Sequence, residues 1–151
     1  LGLVPYGKIM DTDENCPTLT FNTIGRHQSK IVHTRIASNK SPWLMHAPIN
    51  EIYTVPISHG EGRFIASDDV IRQLAGNGQI ATQYVDLNGD PTDHIHFNPN
   101  NSVCAIEGIT SPDGRIFGKM GHSERWSDGL YKNVEGNYDI GMFKSAVEYY
   151  K

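Results

Sequence analysis

The sequence predicts an α/β domain in which short strands, among them an antiparallel hairpin, pack against a few helices. Residues 18–26 and 30–36 have the composition of two short strands, and their closeness in the chain favours pairing them as the hairpin. Residues 67–76 and 138–150 instead carry apolar side chains at helical spacing. The two kinds of segment in one chain indicate the mixed class.

The size and composition of the chain limit its possible functions. Its 151 residues, 38% hydrophobic and 20% charged, are typical of one globular domain. The net charge of -4 is spread along the sequence and no Lys/Arg-rich run occurs, which argues against nucleic acid as a partner. No apolar run reaches the roughly 18 residues that a membrane span needs, and the first residues lack the pattern of a signal peptide. We therefore expect a cytoplasmic protein.

Local signals predict the elements of the first half. Residues 1–5, with a Leu-Gly pair before Val-Pro, are typical of a helix end that runs into a loop. After the expected hairpin, Ser41 is predicted to cap a short helical turn with Pro42 at its first position. The β-branched run 52–57 predicts a strand that ends in the loop 58–64.

Helix and strand signals alternate in the second half. Ser67 is predicted to cap a surface helix that Gly76 ends. Residues 79–87 alternate as a strand and lead into an Asn-Gly turn. A strand within 103–110 is followed by a tight turn and by a further strand that stops at His122. The closing helix is expected to pack through the apolar side chains of Ile140, Phe143, Val147 and Tyr150.

A candidate catalytic pair follows the last of these strands: His122 and, two residues later, Glu124. A histidine can take a proton near neutral pH because its unperturbed pKa is about 6.5, and a carboxylate on its second ring nitrogen fixes the tautomer and stabilises the imidazolium. The pair therefore fits two members of a nucleophilic triad, the base and the carboxylate that orients it. The third member, the nucleophile, is not part of this segment. A solvated loop is the alternative interpretation.

Neither cysteine fits the missing nucleophile. Cys16 lies in a polar turn, and Cys104 lies in the apolar run 103–106, where burial is expected. Both lack the glycine-flanked turn between strand and helix that exposes a nucleophile. Because they belong to no disulfide framework, we expect two free thiols.

The histidines offer a second, metal-based interpretation. His94 and His96 are predicted to lie on one face of a strand, from which they could join His59 or His122 around a zinc ion. No cysteine or acidic residue has the spacing that would support such a site. The sequence therefore predicts no bound metal.

Separated blocks of the sequence resemble a known family, in the family's order. The blocks are residues 56–64, 98–102, 108–115 and 118–125. They resemble the glutaminase domain of phosphoribosylformylglycinamidine synthase, a class I glutamine amidotransferase of purine biosynthesis. The resemblance extends from the first residue to about residue 125. It implies a flavodoxin-like α/β fold of which this chain is the C-terminal part only.

The resemblance also implies roles for particular residues. In a Cys-His-Glu triad, His122 would be the general base and Glu124 its orienter, while the cysteine would lie shortly before the first residue. Ser58, His59 and Gly60 match the stretch whose main chain helps to hold the amino-acid end of glutamine. The whole chain, residues 1–151, is then expected to be a single incomplete glutaminase domain, inactive by itself.

The activity implied is hydrolysis of glutamine to glutamate and ammonia. The ammonia would pass to a synthetase domain, where ATP and Mg²⁺ support amidation of the formylglycinamide substrate. The expected partners are therefore glutamine, the remainder of the same domain and the synthetase domain. No cofactor is expected in this chain.

Some residues depart from the family's pattern. Many members flank this histidine with prolines, where this chain has Gly121 and Ser123, so a less rigid loop and a less fixed Glu124 hydrogen bond are expected. Asn101 stands where glycine is common, which asparagine tolerates in left-handed backbone. Two rival functions stay open: a noncatalytic interaction module with the same fold, and a metallohydrolase that uses the histidines.

Overall fold

The structure is a computed structural model that describes residues 2–151, and its centre is a five-stranded sheet. The strands are β1 (Thr18–Thr20), β2 (Gln28–Ile36), β3 (Ile52–His59), β4 (Arg63–Ile65), β5 (Ile80–Tyr84), β6 (Ile106–Thr110) and β7 (Phe117–Lys119). The order across the central sheet is β3-β2-β5-β6-β7, and β1 pairs with β4 in a separate two-stranded sheet. All of these pairings are antiparallel.

Within residues 2–151, three helices complete the fold: α1 (Leu3–Tyr6), α2 (Asp68–Gly76) and α3 (Met142–Tyr150). Two single 3-10 turns, Pro42–Leu44 and Val103–Ala105, connect strands. None of the helices over residues 2–151 has the length and hydrophobicity that a bilayer crossing requires. The mixed α/β composition agrees with the class predicted from the sequence.

The predicted hairpin between residues 18–26 and 30–36 is wrong. β2 pairs along its length with β3, and β1 pairs with β4. The cause is the turn that follows β1, where Asn22 is buried and its backbone N–H donates to the carbonyl of Gly60 at 2.9 Å. Its side-chain amide also donates to the carbonyl of His59 at 2.9 Å. These contacts tie the segment to the end of β3 and prevent it from continuing as a strand.

Most local capping predictions are confirmed. Ser41 accepts a hydrogen bond from the backbone N–H of Trp43 and begins the turn Pro42–Leu44. Ser67 accepts from the N–H of Val70 at the start of α2. Gly76 is the last residue of α2, but the left-handed backbone that follows a helix end belongs to Gly78, with φ +66. Short-range hydrogen bonds explain why these positions are predictable from sequence.

The prediction for the first residues differs from the structure. Part of it falls on Leu1, which lies outside the described residues. From Leu3 the chain begins a helical turn, α1, instead of ending a helix. Gly7 closes this turn with φ +71, and its N–H donates to the carbonyl of Leu3 at 2.9 Å.

The prediction of which face of α3 packs against the core is also wrong. Its buried residues are Ser145 and Ala146, while the more exposed positions are Phe143, Val147 and Tyr150, at 52%, 57% and 54%. α3 packs on the turn Pro42–Leu44, and small side chains allow that close approach. Of the four predicted core residues, Ile140 alone is buried, and it precedes the helix.

The core supports the ends of β3 and β7. All five residues of β6 are buried, as are most of β3 and β5. Burying one valine or isoleucine side chain stabilises a fold by about 1.5–3 kcal/mol. The loop after β7, which carries His122, therefore lies next to the most buried strands of the sheet.

Candidate active site

The loop that carries His122 lies against β3. The backbone N–H of His122 donates to the carbonyl of Pro56 at 2.8 Å. This bond places residues 121–124 beside residues 56–60, which are distant in the sequence. The structure therefore brings together the two segments that were singled out as catalytic and substrate-binding.

The imidazole of His122 is hydrogen-bonded to the carboxylate of Glu124. Nδ1 of His122 lies 2.6 Å from Oε1 of Glu124, which is the short distance of a charge-assisted hydrogen bond. In the tautomer whose Nδ1–H donates a hydrogen bond to the carboxylate, Nε2 is the basic nitrogen of the ring. The side chain of His122 is 28% exposed, so a substrate can approach it. This arrangement is the one that a general base requires.

The electrostatics of Glu124 favour its ionised form. Partial burial tends to raise the pKa of Glu124, but hydrogen bonds from its own backbone N–H and from His122 lower it, as do the charges of His122 and Arg125. The net shift is downward. Nε of Arg125 lies 3.8 Å from Oε1 of Glu124. A carboxylate that stays ionised can stabilise the imidazolium that forms during catalysis.

Comparison with known proteins identifies the family of this chain. Residues 1–150 match the family described as the CobB/CobQ-like glutamine amidotransferase domain. The chain belongs to this family. The resemblance identified from the separated sequence blocks is thereby confirmed.

Several relatives of this chain are known by name. The chain is 38% identical over 114 residues to phosphoribosylformylglycinamidine synthase subunit PurQ of Synechocystis sp., a match that covers 76% of this chain and 49% of the relative. The same subunit of Methanocaldococcus jannaschii is 32% identical over 134 residues, covering 89% of this chain and 56% of the relative. The chain thus spans about half the length of the curated relatives it matches.

A solved structure supports the same fold. The structure of PurLQS from Thermotoga maritima matches with a TM-score of 0.67 and 26% identity, over 90% of this chain and 54% of that chain. The predicted α/β fold of the class I amidotransferases is therefore confirmed.

His59 occupies a confined position beside His122 and Glu124. Its Nε2 lies 3.3 Å from Nδ2 of Asn100, and a Cβ on Gly62 would come within 2.3 Å of its ring. Burial lowers the pKa of His59 most, and the nearby His122 and His27 lower it further, against the opposing effects of its backbone hydrogen bond and Glu107. The net shift is downward, which favours the neutral form of His59.

The lowered pKa of His59 predicts how stability depends on pH. Below the unfolded pKa of about 6.5, the unfolded chain binds a proton at this position more readily than the folded chain does. Acidification from pH 7 toward pH 5 should therefore lower the melting temperature, and His59→Gln should make this fall smaller. The control His96→Gln removes an exposed imidazole and should keep the wild-type slope. Equal slopes for both variants and the wild type would contradict the assignment.

The remaining predicted substrate-binding residues lie at the end of β3. Oγ of Ser58 is 3.1 Å from Nε2 of His27. The carbonyls of His59 and Gly60 accept hydrogen bonds from Asn22, so these two oxygens are already engaged. Asn22 was missed by the sequence analysis because it lies in a stretch predicted as strand. The role of Ser58, His59 and Gly60 in holding glutamine stays a prediction.

Two sequence predictions about reactive side chains are wrong. His94 and His96 lie in a turn instead of on one strand face, and the ring of His94 accepts a hydrogen bond from the N–H of His96 at 3.2 Å. Cys104 is exposed instead of buried, because its left-handed backbone (φ +52) interrupts the apolar run. Over residues 2–151, no three or more His, Cys, Asp or Glu side chains are grouped to hold a metal ion. The geometry therefore does not support the metallohydrolase alternative.

The loop of residues 98–102 behaves as the sequence predicts. Asn101 has φ +58, the left-handed backbone that asparagine tolerates. The buried side chain of Asn98 donates to the carbonyl of Ser102 and accepts from its N–H, at 2.9 and 3.0 Å. This closed loop holds Asn100 beneath His59.

Proposed function

We propose that this chain is the C-terminal part of the glutaminase that supplies ammonia for phosphoribosylformylglycinamidine synthesis. The observation that carries the proposal is the 2.6 Å contact between His122 and Glu124, on a loop that is hydrogen-bonded to β3. Such a pair is two thirds of a Cys-His-Glu triad. The nucleophile is proposed to be a cysteine of the part of the domain that this chain does not span.

The proposed reaction proceeds through a thioester. The cysteine thiolate, stabilised by the imidazolium of His122, attacks the side-chain amide carbon of glutamine. His122 then donates its proton to the leaving nitrogen, and ammonia departs. Next, His122 takes a proton from a water molecule, whose oxygen attacks the thioester carbon. Glutamate leaves, and the thiolate and the imidazolium are restored.

The role of Glu124 in this scheme is to orient the ring. Its bond to Nδ1 directs Nε2 toward the cysteine. It also stabilises the imidazolium that is present before ammonia leaves and that forms again when His122 takes a proton from water. Ser58, His59 and Gly60 are proposed to line the site for the amino-acid end of glutamine, because the His122 loop is bonded to the same strand end.

The proposed partner is an ATP-dependent synthetase. The relatives are named as the PurQ subunit of phosphoribosylformylglycinamidine synthase, and the matching solved structure is of PurLQS. By this likeness, ammonia would be used in a synthetase that binds ATP and Mg²⁺ and amidates formylglycinamide ribonucleotide in the cytoplasm.

The experiment that tests this function compares two nitrogen donors. The full-length protein, together with its synthetase, is assayed for formylglycinamidine ribonucleotide with ATP and either glutamine or ammonium. We expect synthesis from both donors, and one glutamate released for each product made from glutamine. Synthesis from ammonium alone would instead identify a noncatalytic relative of the glutaminases. Synthesis from neither donor would reject the proposed substrate.

A further inference from the structure

A buried pair of charged side chains lies beneath the His122 loop. Glu107 of β6 is 2% exposed, and the side chain of Lys119 of β7 is 8% exposed. Nζ of Lys119 lies 3.5 Å from Oε1 of Glu107. Charged groups are seldom buried, because their desolvation is costly unless hydrogen bonds and an opposite charge offset it. The hydrogen-bond partners of Glu107 and Lys119 must therefore offset this cost, and their positions indicate the role of the pair.

Most of these contacts go to the residues on either side of His122. Oε1 of Glu107 accepts the backbone N–H of Gly121 at 2.5 Å. Nζ of Lys119 donates to the carbonyl of Gly121 at 3.1 Å and to Oγ of Ser123 at 3.2 Å. The other carboxylate oxygen of Glu107 accepts the hydroxyl of Thr82 on β5, which anchors the pair in the sheet.

The sequence analysis expected a less rigid loop, because Gly121 and Ser123 stand where many family members have prolines. These hydrogen bonds oppose that expectation. Both backbone polar groups of Gly121 are bonded to buried charges, and so is the hydroxyl of Ser123. A proline at position 121 would have no N–H to donate to Glu107. The loop is therefore held by hydrogen bonds to the sheet.

We propose that Glu107 and Lys119 are positioning residues that clamp the loop on both sides of His122 and so hold its imidazole in place for the glutaminase reaction. This inference rests on the proposed function. An error of about 1 Å in the position of a catalytic group can cost about 10²-fold in rate. A buried ion pair is a weak source of stability, because apolar residues of similar volume often serve as well. The specific bonds to the loop are what this pair adds.

Four variants of the full-length protein separate positioning from stability. Glu107→Leu and Lys119→Met each leave one buried charge without its partner. The double variant E107L/K119M removes both charges together. Glu107→Gln keeps an acceptor for the N–H of Gly121. The control Lys40→Met removes an exposed lysine whose Nζ bonds to the carbonyl of Asn77 at 2.9 Å.

The measurements are the melting temperature, kcat and KM for glutamine, and synthesis from ammonium. We expect Glu107→Leu and Lys119→Met each to have a lower melting temperature than the wild type. Each should also lose about 10- to 100-fold in kcat, with little change in KM. The double variant should regain the melting temperature but not kcat, and Glu107→Gln should keep more activity than Glu107→Leu. Ammonium-dependent synthesis and the control should stay at wild-type values.

The opposite outcome is equally clear. If the double variant regains kcat together with its melting temperature, the pair only stabilises the sheet and the inference is overturned. Hydrogen exchange provides a second test that does not depend on activity: the N–H of Gly121 should exchange faster in E107L/K119M, and unchanged exchange would reject the clamp. A wild type without glutaminase activity would overturn the proposed function, while exchange would still test the clamp.

Discussion

Replacing His122 with alanine should abolish glutamine-dependent synthesis by the full-length protein while ammonium-dependent synthesis continues. The variant lacks the group that takes and donates the proton in both halves of the reaction. A positioned general acid or base contributes about 10²- to 10⁴-fold in rate, so kcat for glutamine hydrolysis should fall by at least that factor. Glutamate release, measured without ATP and with ATP, checks the loss directly.

The site of this substitution favours a clean result. The side chain of His122 is partly exposed, and the fold anchors its loop through the backbone bond to Pro56, which alanine retains. We therefore expect a melting temperature close to that of the wild type. His46→Ala is the matched control, because it removes an exposed imidazole whose hydrogen bond is to Glu148 on α3. Glutamine-dependent synthesis that survives in His122→Ala would show that another group is the base.

Replacing Gly121 with alanine should damage both stability and activity. The added Cβ would lie 2.6 and 2.8 Å from the two methyl carbons of Val55 and 2.9 Å from Oε1 of Glu107. Val55 is buried and β-branched, and Glu107 is buried, so neither can turn away easily. Such overpacking costs about 1–3 kcal/mol of unfolding free energy. The displaced loop would move His122, with an expected loss of about 10²-fold in kcat.

A glycine in open space provides the control for this substitution. A Cβ on Gly76, the last residue of α2, meets no atom within 4 Å. Gly76→Ala should therefore match the wild type or gain about 0.4–1 kcal/mol, through a less flexible unfolded chain. Val55→Ala combined with Gly121→Ala should recover part of the lost kcat, since it removes the closest clash. Wild-type kcat and melting temperature in Gly121→Ala alone would contradict the packing described for this loop.

The strand pairing shows why sequence reasoning failed in part. Residues 18–26 have strand-like composition, yet Asn22 ends the strand by bonding to His59 and Gly60, which are distant in the sequence. The partner of a strand depends on which distant segment offers matching hydrogen bonds and a buried face. The buried face of α3 was mispredicted for a related reason: the helix packs its small side chains against the turn Pro42–Leu44, which is distant in the sequence.

The candidate site divides in the same way. His122 and Glu124 are two residues apart, so their contact is local and could be predicted. Glu107 is a charged residue in an otherwise apolar run, which is a signal that the sequence analysis did not use. Its bond to Gly121 joins β6 to the loop after β7, and periodicity within one strand does not report such a contact.

By itself, the sequence determined the mixed class, the capped turns, the family resemblance and the His-Glu pair, because each depends on residues that are neighbours in the chain or on conserved order of short blocks. The tertiary structure alone decided that β2 pairs with β3, that Cys104 is exposed, and that Glu107 and Lys119 lie beneath His122. The physical reason is that burial and strand register are set by contacts between distant segments, and these contacts compete with local preference.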